Sequence, residues 1–219
     1  MERSVSGVGV LDKAVVLLGA LERGPLPLAD LVRASGLPRA TTHRLAVALE
    51  DHGLVRRDGD GRFTLGLRLV AFGRAAADGF PLAVAARPAL EALRDRTGES
   101  VQLYVAEGDG RRCVVSLQSP HALRWIVPEG ALLPIDRGSA GKLLRARAQV
   151  GPEGWAESVE EREAGVCSVS APVRDRHGSV LAAVSVSGPV ERLSRTPGQR
   201  FGAAVVAAAS DVAVAASAS

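Results

Sequence analysis

Between Arg39 and Arg44 the chain reads Arg-Ala-Thr-Thr-His-Arg, five groups that can donate or accept hydrogen bonds around one alanine. Arg39, Thr41, Thr42, His43 and Arg44 have the chemistry needed to meet base edges and backbone phosphates. A second basic set, Arg56, Arg57 and Arg62, decorates LVRRDGDGRFTL, where two Asp-Gly pairs signal tight turns between short alternating runs. A third set is neutral. Ser168, Ser170, Ser185 and Ser187 recur in two late strand-like runs, and Ser185 and Ser187 share a face by the strand period of two. Such serines either tolerate solvent or line a pocket, and spacing alone leaves both open.

Catalytic chemistry finds little to work with. GSAGK at Gly138–Lys142 has the wrong spacing for a P-loop, and Leu143 follows the lysine where a hydroxyl residue would be needed. No G-x-S-x-G elbow occurs. His121 and His177 sit in turn-like segments without a placed nucleophile, and Cys167 lies among apolar neighbours, as an inert buried thiol would. The two cysteines make no disulfide framework and no paired metal-ligand spacing. The expectation is a non-enzyme without metal or cofactor.

The elements that must carry these groups follow from periodicity. Val10 or Leu11, Ala14, Val15, Leu18 and Leu21 recur at helical spacing up to Gly24-Pro25. Leu28, Leu31 and Val32 mark a short second helix that Gly36 ends, and Pro38 suits the first turn of a third. In that third helix the spacing predicts Leu45, Ala48, Leu49 and His52 on the packed face, Arg39, His43 and Val47 opposite, and Thr42 and Arg44 on the flanks. Helix, tight turn, polar helix and basic hairpin together form a winged helix-turn-helix, a device for entering a DNA groove.

Charge agrees. Residues 1–75 hold 11 Lys or Arg against 8 Asp or Glu, whereas the remainder is balanced at 16 against 16. The whole excess of +3 therefore sits where phosphates would be met. The predominance of Arg (Lys13 and Lys142 are the sole lysines) reads as codon bias and not as a functional choice. MERSVSGVG has no apolar signal core, and the Ala-rich C-terminal stretch, interrupted by Asp211, predicts a packed amphipathic helix and not a membrane span. The expected location is the cytoplasm.

Beyond the hairpin, Leu65, Leu69, Phe72 and Ala76 form a helical stripe over 66–77 that Asp78-Gly-Phe-Pro81 breaks. A helix over 82–96 then precedes strand-like VQLYVAE and RCVVSLQS, a short helix from Ser139, two late strands and a final helix from about Pro197. Antiparallel strand pairs with helices at their ends predict an α+β domain with one sheet.

GVGVLDKAVVLLGAL, LVRASGLPRATTHRLAVALEDHGLV and RFTLGLRLVAFG, in that order, resemble the IclR-type transcriptional regulators, and the likeness continues through the C-terminal part. The resemblance implies an α+β organisation. A winged helix-turn-helix over 1–65 is joined by a linker helix over 66–80 to a GAF-like α/β effector-binding and oligomerisation domain over 81–219. It also implies double-stranded operator DNA as partner, a homodimer or homotetramer, and a small-molecule effector such as a small carboxylate. Carried over by motif, effector contacts fall on Ser139, Ala140, Ser158, Ser168, Ser185 and Ser187. One departure stands out: the segment AQVGPEGWAESVEEREAG is shorter than its family counterpart, which is expected to remove a wall or lid of the pocket. On an alternative reading the C-terminal domain is a ligand-free oligomerisation scaffold.

Overall fold

The computed structural model describes residues 7–146 and 152–217. The chain divides between Ala76 and Ala77 into two compact units.

In the first unit, α1 (Gly9–Leu21), α2 (Leu28–Ser35) and α3 (Arg39–Asp51) precede the hairpin β1 (Val55–Arg57) and β2 (Phe63–Leu65). Leu17, Leu21, Leu31, Leu37, Leu45, Ala46, Leu49, Val55 and Phe63 form its core. Gly36 closes α2 with φ of 68°, donating to Val32 O at 3.0 Å, so the chain can reverse into Pro38 and α3. Phe63 exchanges two 2.9 Å backbone hydrogen bonds with Leu26, which adds a third short strand segment to the wing.

The packed face of α3 is rotated from the expected one. Thr42, Leu45, Ala46 and Leu49 are buried, whereas Ala48 and His52 are exposed. The reason is local: the Thr42 hydroxyl donates to the carbonyl oxygens of Leu37 and Pro38, at 3.3 and 3.2 Å, so its one polar group is satisfied without water. In α1 the buried positions are Leu17 and Leu21, while Val15 points to solvent at 68% exposure. Gly66 N donates to Leu54 O at 2.8 Å, and the chain then enters α4 (Arg68–Asp78), none of whose residues is buried.

In the second unit, α5 (Pro81–Thr97) leads into a six-stranded antiparallel sheet. Its strands are β3 (Ser100–Glu107), β4 (Gly110–Leu117), β5 (Leu132–Pro134), β6 (Ala156–Val159), β7 (Val166–Arg174) and β8 (Val180–Pro189), in the order β5-β4-β3-β8-β7-β6. Helix α6 (Ser139–Ala146) lies between β5 and β6 in sequence, and α7 (Val190–Leu193) and α8 (Pro197–Ser217) end the chain. Period-two alternation sorts the sheet into two faces. Val101, Leu103, Val169, Val173, Val184 and Val186 pack with Leu90 and Leu93 of α5 and Val205 and Val212 of α8. Tyr104, Cys113 and Ala183 turn the other way, toward Leu143 and Leu144 of α6. The Ala-rich α8 is long and apolar enough to cross a membrane by composition, yet Phe201, Val205, Ala208 and Val212 are spent on the sheet and α5. Strand β6 was not anticipated, and the helix expected from Ser139 is described as far as Ala146.

Candidate functional site: a polar helix face and a hydroxyl-lined pocket

On α3 the exposed side chains are Arg39, His43 and Arg44, with Thr41 half-buried. None of these four makes a side-chain hydrogen bond or ion pair among the described residues, so their donors are free for another molecule. Thr42 is corrected. At 0% exposure, with its hydroxyl held by the Leu37 and Pro38 carbonyls, it packs the helix and cannot reach a base edge.

The wing arginines divide. Arg56 is exposed and unpaired among the described residues. Arg57 stacks 4.2 Å over the Phe63 ring and reaches Glu50 Oε2 at 3.4 Å. Arg62 is tied to its own turn, with Nε 2.7 Å from Asp58 Oδ2 and Nη2 3.0 Å from Asp60 Oδ2. Its charge is therefore largely answered inside the hairpin. Asp58 organises that turn, its Oδ1 accepting from the N–H groups of Asp60 and Arg62 at 3.0 and 2.9 Å. Desolvation pushes its pKa up, but the Arg62 guanidinium and these two N–H groups outweigh it and hold the carboxyl below its usual value.

A carboxyl lowered on folding contributes stability above its unfolded pKa and loses it as pH falls through the folded value. Wing order is therefore expected to persist at neutral pH and to loosen only in acid, below the usual aspartate range. Asp58→Ala is expected to remove this dependence and to weaken DNA binding a few-fold at neutral pH. Amide exchange of Arg62 against pH in both proteins checks it, and equal protection in the two would refute it.

The second site lies on the α6 side of the sheet. The antiparallel register sets Ser158 opposite Ser168, Ser168 opposite Ser187, and Ser170 opposite Ser185. These pairings bring the hydroxyls of three strands into adjacent rows. Helix α6 adds its first turn: Ser139 Oγ is 2.7 Å from both Ser168 Oγ and Ser170 Oγ. All six motif-derived positions, Ser139, Ala140, Ser158, Ser168, Ser185 and Ser187, line one cavity of about 30 Å³. Ser187 donates to the buried Gln102 Oε1 at 2.8 Å, leaving its oxygen lone pairs as the polar group it can offer a ligand.

Motif reasoning missed the charged lining. Arg111, 4% exposed, enters the cavity from β4, and Arg162 enters from the segment after β6. Arg111 Nη1 donates to the carbonyl oxygens of Pro134 and Arg137, and the guanidinium sits 5.4 Å from the Tyr104 ring centre. Its Nε has no partner, and no carboxylate pairs with it among the described residues. Burial pulls its pKa down and the charge of Arg162 adds to that, while Tyr104 and Asp136 oppose it without reversing it. Close approach explains two glycines. A Cβ on Gly141 would lie 2.5 Å from Ile135 O and 2.7 Å from Arg111 Nη1, and one on Gly138 would lie 3.2 Å from Arg111 Nη2. The signal for Arg111 was its parity with Cys113 along the strand, which only a known sheet face can decode. Ser170 was visible in the serine recurrence but not carried into the site.

The short segment supplies a wall where its loss was expected. Strand β6 brings Ser158, the residues after it bring Arg162 and Glu163, and Arg162 stacks 4.9 Å over the Trp125 ring. Lys142, the lysine of the Ser-Ala-Gly-Lys turn, bonds to Glu157 O at 2.8 Å and pairs with Glu161, so it stitches α6 to this segment. Burial pushes the Cys113 thiol up to about 12 and also raises Cys167, which fits neither for nucleophilic work. Among the described residues no cluster of His, Cys, Asp and Glu could hold a metal ion.

Two family models match this arrangement: the IclR helix-turn-helix domain over residues 10–59, and the bacterial transcriptional regulator IclR C-terminal domain over 74–151 and 143–214. The chain belongs to the IclR family. It is a DNA-binding transcriptional regulator, and its winged helix-turn-helix and effector-type α/β domain are those of the family. The two pieces of the C-terminal match overlap at 143–151, at the end of α6 and the start of the segment that leads to β6. The transcriptional repressor IclR of Escherichia coli K12 is 27% identical over 90% of this chain and 85% of its own. The glycerol operon regulatory protein of Streptomyces coelicolor is 30% identical over 84% and 86%. Among solved structures, an IclR homologue from Microbacterium hydrocarbonoxydans complexed with 4-hydroxybenzoate aligns with a TM-score of 0.80 at 22% identity, covering 96% of this chain and all of that one. Thermotoga maritima IclR aligns at 0.71 and 20% identity, over 94% and 98%.

Proposed function

We propose that this IclR-family regulator binds a pseudo-palindromic operator in the cytoplasm as a homodimer or homotetramer, and that a small carboxylate in the serine-lined cavity changes its DNA affinity. The observation that carries the effector half is the cavity itself. Three strands and the first turn of α6 converge hydroxyl groups on a buried arginine with an unpartnered Nε. The helix N-terminus at Ser139 and Ala140 adds partial positive charge. A ligand modulates binding only if its affinity differs between DNA-competent and DNA-incompetent states.

Self-association is supported by apolar surface on the DNA-binding unit. Val10, Leu11 and Val15 of α1 and Val70 and Phe72 of α4 are between 51% and 68% exposed. Exposed patches of this kind mark interaction surfaces. Val15→Asp with Phe72→Asp is expected to shift the protein toward monomer in sedimentation velocity and to weaken operator binding more than tenfold, since a single half-site is left. An unchanged sedimentation coefficient would sink the assignment of this face.

The whole proposal is tested by gel shift with DNA flanking the protein's own gene, with and without a panel of small acids. Affinity that responds to an acid supports it. Thermal shift that stays flat across the panel would overturn the effector half and favour a C-terminal domain that only assembles subunits.

A further inference from the structure

Arg111 and Arg162 put two guanidinium groups into one small cavity, and neither has a carboxylate partner among the described residues. The lining carboxylate is that of Glu163, which is exposed. Glu161 is engaged elsewhere, accepting from Gly138 N and pairing with Lys142. Asp136 acts on Arg111 only through space, without an ion pair. A buried cation without a paired anion is costly, and a second cation facing the same space adds repulsion. Both charges act on the buried Tyr104 hydroxyl, pulling against the upward push of burial on its pKa. The remaining walls are the hydroxyls of Tyr104 and the serines together with the apolar Trp125, Ala140 and Val166, which can complement or enclose an oxyanion but cannot neutralise it.

The two arginines are held very differently. Arg111 is 4% exposed, fixed by the Pro134 and Arg137 carbonyls, and cradled by Gly138 and Gly141. Arg162 is half-buried, makes no hydrogen bond or ion pair among the described residues, and rests on the face of Trp125. One is an anchor and the other a movable arm. The free volume of about 30 Å³ holds a water or two and no organic acid of several carbons. Ligand admission therefore needs one lining group to move, and of the two arginines Arg162 is the one with less to lose.

We propose that the effector of this pocket is a dianion, such as a dicarboxylate, with one anionic group on Arg111 and the first turn of α6 and the other drawing Arg162 off Trp125 to close over it. This rests on the reading of the cavity as an effector site and adds the charge and shape of what enters. The loop that carries Arg162 follows β6, so ligand selection is assigned to the segment between α6 and β7.

Calorimetric titration of the full chain tests it with linear dicarboxylates of two to six carbons and with benzene dicarboxylates, each paired with its half-amide. At least one diacid is expected to bind about tenfold or more tighter than its half-amide, as a charge-assisted contact implies. Arg162→Gln, at a half-exposed position, should keep its melting temperature and lose most of that preference while still binding the half-amide. Arg111→Gln should weaken both. In a Trp155→Phe background Trp125 is the sole tryptophan, and its emission should change on diacid binding and not on half-amide binding. Equal affinity for diacid and half-amide, or a preference that survives Arg162→Gln, overturns the inference while leaving the pocket as a monocarboxylate site. No binding by any acid overturns the effector reading and this inference together.

Discussion

Arg39→Ala combined with Arg44→Ala is expected to reduce operator affinity by about 30- to 1000-fold while leaving the melting temperature within a degree or two. Both side chains are exposed, at the start of α3 and one turn on, and neither has a partner within the chain that its loss would orphan. An arginine on a base edge is worth about 1–3 kcal/mol, and removal of a phosphate contact weakens binding uniformly. Two such losses give about 2–4 kcal/mol, which converts to the range stated. The single variants separate the roles. If Arg39 reads a base, its loss flattens the preference between operator and random DNA. If Arg44 grips a phosphate, its loss weakens both equally and lowers the salt slope by about one. Thr42→Ala is the control. It removes a buried group that makes two backbone hydrogen bonds, so stability should fall by about 1 kcal/mol with little change in sequence preference. Operator affinity retained in the double arginine variant would refute the assignment of this helix face.

Phe63→Ala is expected to cost the DNA-binding unit about 3–5 kcal/mol, the usual range for truncating a buried phenylalanine. The ring is 1% exposed in a core of nine buried residues. Its backbone also exchanges both hydrogen bonds with Leu26, and its face carries the Arg57 guanidinium. The wing and the helical core therefore share one side chain. In calorimetry the transition of the first unit should drop steeply, and gel shifts should lose affinity before the protein as a whole melts. Phe63→Leu should recover most of the stability but not the Arg57 stacking, which isolates the contribution of that contact to DNA binding. A melting profile unchanged by Phe63→Ala would contradict the packing described.

The DNA-binding unit was readable because its signals are local. A glycine that ends α2, a proline that opens α3 and Asp-Gly turns in the wing each act within a few residues. The phase of α3 was misjudged for a physical reason. Thr42 counts as polar in any hydropathy pattern, but its hydroxyl finds two carbonyls of the preceding turn and so behaves as a small apolar group. In α1 apolar residues occur all round, and periodicity alone could not show that Leu17 is buried and Val15 is not. The serines of the pocket were legible through the period of two, yet their convergence with Ser139 depends on helix α6 packing against β7, which joins residues 29 and 31 positions apart. Arg111 is one of many arginines, and nothing near it in sequence marks it as buried. Strand β6 escaped because AESV is too short and too polar to stand out before its pairing with β7 is known.

The two cysteines carry a practical consequence. Cys113 is 0% exposed with its thiol raised to about 12, and Cys167 is 1% exposed with its thiol also raised. The thiolate is the reactive form, so both side chains should be silent toward maleimides and mild oxidants at neutral pH. The natural protein is thus already a blank background for site-directed labelling. A single cysteine introduced on the exposed wing or at Arg162 would take a fluorophore without removing either native thiol, and the transcriptional switch could be watched moving in an otherwise unaltered chain.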